Sequence, residues 1–203
     1  MSKAKSQPAI AVRPGRGRRP AAEVRAAILK AAGRLLLEEG MAKFTVERVA
    51  ALSGASRVTI HKWWPSRGAL AFDAYREAVA VVLTFPDTGD VKADIRAQLH
   101  AFVHLITETP AGRVISELMG LAQTDPDLRS AMTEHYTMPR RNLAVERMRQ
   151  GQHRGQLRPD VDPYAVVDQL WGACYNRLLS NDLPVTIAFA DTLLDNIWRG
   201  IAT

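Results

Sequence analysis

The stretch Thr45-Val46-Glu47-Arg48-Val49-Ala50-Ala51-Leu52-Ser53-Gly54-Ala55-Ser56-Arg57-Val58-Thr59-Ile60-His61-Lys62-Trp63-Trp64 decides the fold. Thr45 is suited to cap a short helix, and Glu47 falls in its first turn, where the helix dipole favours an acid. Val46, Val49, Ala50 and Leu52 are read as the inward face of that helix. Gly54 takes the positive φ of a tight turn without a Cβ clash. Ser56 then caps a second helix, whose Ile60 and Trp64, one turn apart, face inward. Arg57, Thr59, His61, Lys62 and Trp63 are left pointing outward, so the stretch reads as a helix-turn-helix with a basic outer face.

That outer face has a chemistry. A helix offered to a major groove needs short or forked hydrogen-bonding side chains near its N-terminus to reach base edges. Arg57 is the natural bidentate partner of guanine, and Thr59 can meet a thymine methyl or a phosphate. Thr45, Ser56, His61, Lys62 and Arg67 are better placed for phosphates, which fix register rather than sequence. A helical hairpin with a solvated basic face gives the same generic pattern, so spacing alone leaves both open.

Charge distribution favours the first. From Met1 to Arg67 there are 14 Lys and Arg against 4 Asp and Glu; from Gly68 onward there are 13 against 17. A basic module is thus joined to a mildly acidic body, which suits a module aimed at a polyanion. Nucleic acid is the expected polyanion, with an anionic membrane surface as rival. No apolar run approaches the roughly 18 residues of a membrane span; the longest is Ala78–Leu83. The basic N-terminus lacks the apolar core and cleavage site of an export signal. One cysteine, Cys174, rules out an intramolecular disulfide framework and suits a reducing compartment. A cytoplasmic location without membrane attachment is expected.

Residues 1–20 carry six basic residues, no acid and three prolines. They read as a disordered basic arm, either a solubilising tail or a clamp whose Gly15-Arg16-Gly17-Arg18-Arg19 end enters a minor groove through residues such as Arg18. After Pro20 the pattern is helical throughout. Val24, Ile28, Ala31, Ala32, Leu35 and Leu36 recur at helical spacing and Gly40 is the expected stop. Further helices are expected over 45–53, 57–64, 67–85, 90–109, 110–122, 125–151, 162–181 and 184–201. Thr109-Pro110, Asp125-Pro126 and Asp162-Pro163 each put a capping oxygen before a proline at the first helical position. No stretch alternates β-branched residues with period two. The fold class is therefore all-α: an N-terminal three-helix helix-turn-helix domain over 21–66 and a helical C-terminal effector-binding and dimerisation domain over 67–203.

In order and spacing, Gly40, Thr45, Val49, Ala50, Ser53, Gly54, Ala55, Ser56, Thr59, Ile60, Trp64, Ser66, Arg67 and Leu70 resemble the signature of the TetR (tetracycline repressor) family. The match covers roughly residues 17–75 and is specific as a set. Trp63-Trp64-Pro65-Ser66-Arg67 resembles a branch in which such a segment follows the recognition helix. The resemblance implies a transcriptional regulator, by family default a repressor, that binds a palindromic double-stranded DNA operator as a homodimer and is released by a small-molecule effector. There are two departures. The family's usual phosphate-binding tyrosine is His61, whose imidazole can still donate to a phosphate. The lysine that usually opens the fourth helix is Arg67, which keeps the charge.

The body is less legible. Val167, Leu170, Trp171, Cys174, Tyr175 and Leu178 form one apolar stripe; Ile187, Ala190, Leu193, Leu194, Ile197, Trp198 and Ile201 form another. Intrachain core accounts for both, while the resemblance implies that the last two helices pair with their two-fold mates. Phe102, His104, Met119, Met132, Tyr136, Trp171 and Tyr175 are the expected lining of an effector cavity, being the aromatic, thioether and polar groups an adaptable pocket uses; taken singly, each also suits plain core. His100 and His104 stand four apart, a spacing that can hold a metal, but no third ligand is near in sequence, so no metal or other cofactor is expected. Cys174, inside an apolar stripe, is expected to be a buried structural thiol. Two rivals remain: a ligand-blind architectural DNA binder, and an enzyme. Against the latter, the sequence lacks a nucleophile elbow, a phosphate loop, an HExxH site and a convincing carboxylate pair.

Overall fold

The computed structural model describes residues 20–80 and 85–203. Residues 1–19 of the sequence-predicted arm, Arg18 included, lie outside the described residues. The helices run α1 (Ala21–Lys43), α2 (Val46–Ser53), α3 (Arg57–Trp63), α4 (Arg67–Val79), α5 (Val91–Glu108), α6 (Ala111–Ala122), α7 (Pro126–Met132), a π-helical turn (Thr133–Thr137), α8 (Met138–His153), α9 (Pro163–Ser180) and α10 (Ile187–Ile201). Among the described residues the one β-type pairing is the isolated Leu157–Ala202 bridge. The all-α expectation holds.

Local chemistry sets the helix starts. Thr45, Ser56, Ser66, Asp90, Asp125 and Thr186 each accept a hydrogen bond from the amide three residues on, and Asp162 from that of Tyr164, filling donors that a helix N-terminus leaves unpaired. Thr109 accepts from the Ala111 amide at 3.1 Å, but Pro110 stands outside the helix, which begins one residue later than the sequence pattern implies.

Three expectations need correction. Gly40 does break α1, with φ 74° and ψ 179°, yet the chain returns to helix for a last turn to Lys43. The expected helix over 125–151 is three pieces. Pro139 has no N–H and its ring crowds the carbonyl four residues back, and the wider π register just upstream absorbs the misfit. Leu52, expected inward, is 58% exposed, because the short α2 turns only Val46 and Val49 fully into the core.

One apolar core runs from α1 through the first three helices into α4, α5, α6 and α7, joining Ile28, Leu36, Phe44, Val49, Ile60, Trp64, Leu70 and Phe72 to Ile115, Leu118 and Leu128. A second gathers Val91, Ile95 and Leu99 of α5 with Val145, Met148, Leu170 and Leu194 of α8, α9 and α10. The N-terminal head and the body are therefore packed together through α4 and α6. Asp94 is fully buried, and its carboxylate accepts from the Thr88 amide and hydroxyl, fixing the chain just ahead of α5.

Candidate nucleic-acid interface and ligand cavity

α3 has only seven residues, so packing rather than propensity must hold it. Ile60 and Trp64 are buried on its inner side. The Trp64 indole N–H donates to the Asp73 carboxylate on α4 at 2.9 Å, and Arg25 of α1 donates to the same oxygen at 2.8 Å while lying over the Trp64 ring. Asp73 thus ties α1, the end of α3 and α4 into one unit. Sequence reasoning missed it, because nothing in its neighbourhood along the chain distinguishes it.

With that side fixed, the outer side is presented to solvent. Arg57, His61 and Lys62 are exposed, as is Arg67 at the start of α4. Arg57 makes one loose contact with Glu47, at 3.5 Å between exposed groups, which leaves it readily recruited. Ser56 and Thr59 share a hydroxyl contact of 2.9 Å, with Thr59 half-buried. Thr45 and Ser56 each accept the capping amide through the hydroxyl oxygen. Trp63 is half-buried and meets the Trp64 ring edge-on at 5.8 Å, so it braces the helix end more than it projects. Val58, absent from the sequence-derived set, is 81% exposed beside Arg57 and offers a methyl surface of the kind that meets a thymine methyl. Its signal was available: an apolar residue on the outward side of an otherwise polar helix.

The body encloses a cavity of about 250 Å³ between α5, α6, the π-helical turn, α8 and α9. Phe102, Met119, Met132, Tyr136, Trp171 and Tyr175 line it, six of the seven residues the sequence suggested. His104 does not. It lies on the exposed side of α5, its ring nitrogen 2.7 Å from Glu108, because Phe102, Val103, Leu105 and Ile106 take the buried positions around it. His100 is turned elsewhere again, to Asp191 on α10 at 2.8 Å. Sequence reasoning missed Gln98, Arg140, Arg141 and Asp168 on the cavity wall. Gln98 could have been found as a polar residue one turn before Phe102 on the same face. The π-helical turn is what brings Tyr136 and Thr137 to the lining.

The cavity wall also carries polar groups, and Tyr75 packs against one of them, Tyr136. Tyr75 and Tyr175 hydrogen-bond to Tyr136, and burial first, then this phenol neighbourhood, pushes both hydroxyls above their ordinary range, so they stay protonated. Arg140 stacks over the Tyr136 ring at 5.5 Å, and Arg141 pairs with Asp168. Next to the cavity a groove of about 470 Å³ shares Phe85, Tyr136, Arg140 and Leu143 with it and adds Arg76, Arg147, His135 and one acid, Glu146. Cys174 is fully buried, and burial pushes its thiol up to about 11, which makes it unreactive as the stripe suggested.

Family models match both parts of the chain: "Bacterial regulatory proteins, tetR family" over residues 28–74 and "Tetracyclin repressor-like, C-terminal domain" over residues 85–197. The chain belongs to the TetR family. The HTH-type transcriptional regulator YdeS of Bacillus subtilis is 32% identical over 175 residues, spanning 86% of this chain and 88% of that protein. The DNA-binding transcriptional repressor TetR of Mycobacteroides abscessus is 26% identical over 175 residues, spanning 85% and 90%. Among solved structures, the TetR family transcription regulator SCO0332 is 55% identical, covers 89% of this chain and 100% of its own, and superposes with a TM-score of 0.81. This TetR-family chain is accordingly a DNA-binding transcriptional regulator, in a family of regulators rather than enzymes. Among the described residues, no helix is long and apolar enough to cross a membrane.

Proposed function

We propose that this regulator is a cytoplasmic repressor that binds an inverted-repeat operator as a homodimer and is released by a small acidic effector with an apolar, aromatic-compatible body. The observation that carries the proposal is α3: capped by Ser56, locked from behind by Ile60 and Trp64, and open on its front at Arg57, Val58, His61 and Lys62. Arg57, Val58 and Thr59 are the proposed base readers. Thr45, Ser56, His61, Lys62 and Arg67 are the proposed backbone anchors, with Trp63 bracing the end of α3 behind them. The division of labour runs arm 1–20, reading head 21–66, body 67–203.

One short helix makes too few base contacts for a specific site, and a dyad doubles them, with half-sites about 34–36 Å apart. The last two helices support the dimer. Ile187, Leu193, Ile197 and Trp198 on α10 are only half-buried although Ala190 and Leu194 beside them are core, and Leu179 and Leu183 are 48% and 55% exposed. That leaves an apolar surface for a second copy to cover.

The cavity supports the effector class. Its volume lies just below the usual range for ligand sites, which restricts it to a small effector. Its walls are aromatic and thioether, while Arg140, beside the Arg141–Asp168 pair, leaves the lining with one net positive charge suited to a carboxylate or similar anion. Release follows only to the extent that the effector prefers the body conformation that misplaces the heads. The test is to sequence fragments that the purified protein retains from random DNA. An inverted repeat is expected; equal recovery of all sequences would instead mark a ligand-blind architectural binder.

A further inference from the structure

In a regular helix the Met41 amide would donate to the Leu37 carbonyl four residues back. Gly40, at φ 74° and ψ 179°, turns the intervening peptide out of the helix. Both halves of the interrupted bond then find partners on α6. The Met41 N–H donates to a Glu117 carboxylate oxygen at 2.8 Å, and the Arg113 guanidinium donates to the Leu37 carbonyl at 3.1 Å. Arg113 and Glu117 are four apart and share one face of α6. The approach is close: a Cβ on Gly40 would lie 2.8 Å from an Arg113 nitrogen and 3.3 Å from a Glu117 oxygen. The opposite face of α6 carries Ile115 and Met119, which line the cavity.

We propose that Arg113 and Glu117 are positioning residues for DNA reading, which stand in for the helix bond lost at Gly40 and transmit displacement of the cavity wall to the reading head. The transmission half rests on the effector role proposed above. The lever is short. Met41 lies four residues before Thr45, the cap of α2, and the buried Phe44 sits between them. Arg48 of α2 pairs in turn with Glu39 through both guanidinium nitrogens, at 2.7 and 2.9 Å. A movement of α6 along its axis must either carry the last turn of α1, and with it the start of α2, or break two charge-assisted hydrogen bonds. Shifts of about 1–2 Å between packed helices are the usual scale of such switches.

The test compares wild type, Glu117→Ala, Arg113→Ala and Glu117→Gln in the full chain. Operator affinity is measured on the DNA selected above, with and without the fluorescent anion anilinonaphthalene sulfonate as cavity probe. Probe affinity is read from its fluorescence, and amide exchange is followed at Met41. We expect both alanine variants to bind operator about tenfold more weakly and to respond less to the probe, a coupling of ordinary allosteric size, and Glu117→Ala, which removes the acceptor, to exchange Met41 faster. Glu117→Gln keeps an oxygen for the Met41 amide and should stay near wild type in all three. Probe affinity should change little in any variant. Alanine variants with wild-type operator affinity, and unchanged Met41 exchange in Glu117→Ala, would overturn the positioning role. A loss shared by Glu117→Gln, or accompanied by loss of probe affinity, would overturn it as general damage. If the probe binds wild type without altering operator affinity, the effector reading and the transmission half fall together, while the contrast of Gln against Ala still decides the positioning half.

Discussion

The reading head and the body are built on opposite packing rules. Behind α3 the core is filled: Phe44, Val49, Ile60 and Trp64 are all nearly or fully buried, and the inward-facing Trp64 indole N–H is met by Asp73. Between α5, α6, α8 and α9 the body instead leaves about 250 Å³ open and interrupts its helices with a π-helical turn at the cavity wall. A solid core fixes the geometry of a few outward side chains, which base recognition needs. A hollow one lets a ligand decide how the surrounding helices sit. The two regions meet at α6, which offers one face to each.

The comparison breaks most readily at Trp64. Trp64→Ala should cost about 3–5 kcal/mol of head stability, because it opens a cavity in a full core and takes one of its donors from the Asp73 carboxylate. Chemical denaturation checks the magnitude, and operator binding should be lost with it. A cost similar to that of trimming a cavity-wall residue such as Met119 would remove the contrast between filled and hollow cores.

A smaller effect sharpens the division within the head. Arg57→Ala should leave folding intact and relax preference at one base position by about 1–3 kcal/mol. Repeating the DNA selection with the variant reads this directly. A uniform loss across all sequences would make Arg57 a phosphate anchor instead.

The smallest effect concerns acid. Hydrogen bonding to Arg48 holds the Glu39 carboxyl below its ordinary value. A carboxyl lowered by folding stabilises above its unfolded pKa, and that contribution fades as pH falls through the lowered value. The pair is exposed, so the effect is modest. Glu39→Gln should narrow the difference in thermal midpoint between neutral and acid pH. An unchanged difference would show that this link between α1 and α2 contributes nothing.

What was legible in the sequence tracks the range of the interactions concerned. Caps at Thr45, Ser56, Asp125 and Asp162 are visible because acceptor and donor lie within three residues of each other. The inward pair Ile60 and Trp64 follows from helical period alone. Failures begin where two periodicities compete or distance intervenes. Leu52 looks like core by composition but faces outward on the short α2. The π-helical turn before Pro139 shifts the helical register mid-segment, which no fixed period anticipates. His104 has the residue type of a pocket but the phase of a surface. Asp73 and the Arg113–Glu117 clasp are the least legible, since their partners lie 9 to 76 residues away and neither end carries a local signature.

Hollow body and solid head act together if occupancy of the body cavity alters DNA reading. Gly172 gives the most direct access to that link: it lines the cavity from α9, and a Cβ there meets nothing within 4 Å. Gly172→Phe supplies an occupant without any ligand, and exclusion of anilinonaphthalene sulfonate verifies that the space is filled. The decisive measurement is the operator affinity of this variant beside wild type. Weakening by about tenfold or more, within the usual range of allosteric coupling, is the predicted result. A folded, probe-excluding variant that binds operator as tightly as wild type would contradict it.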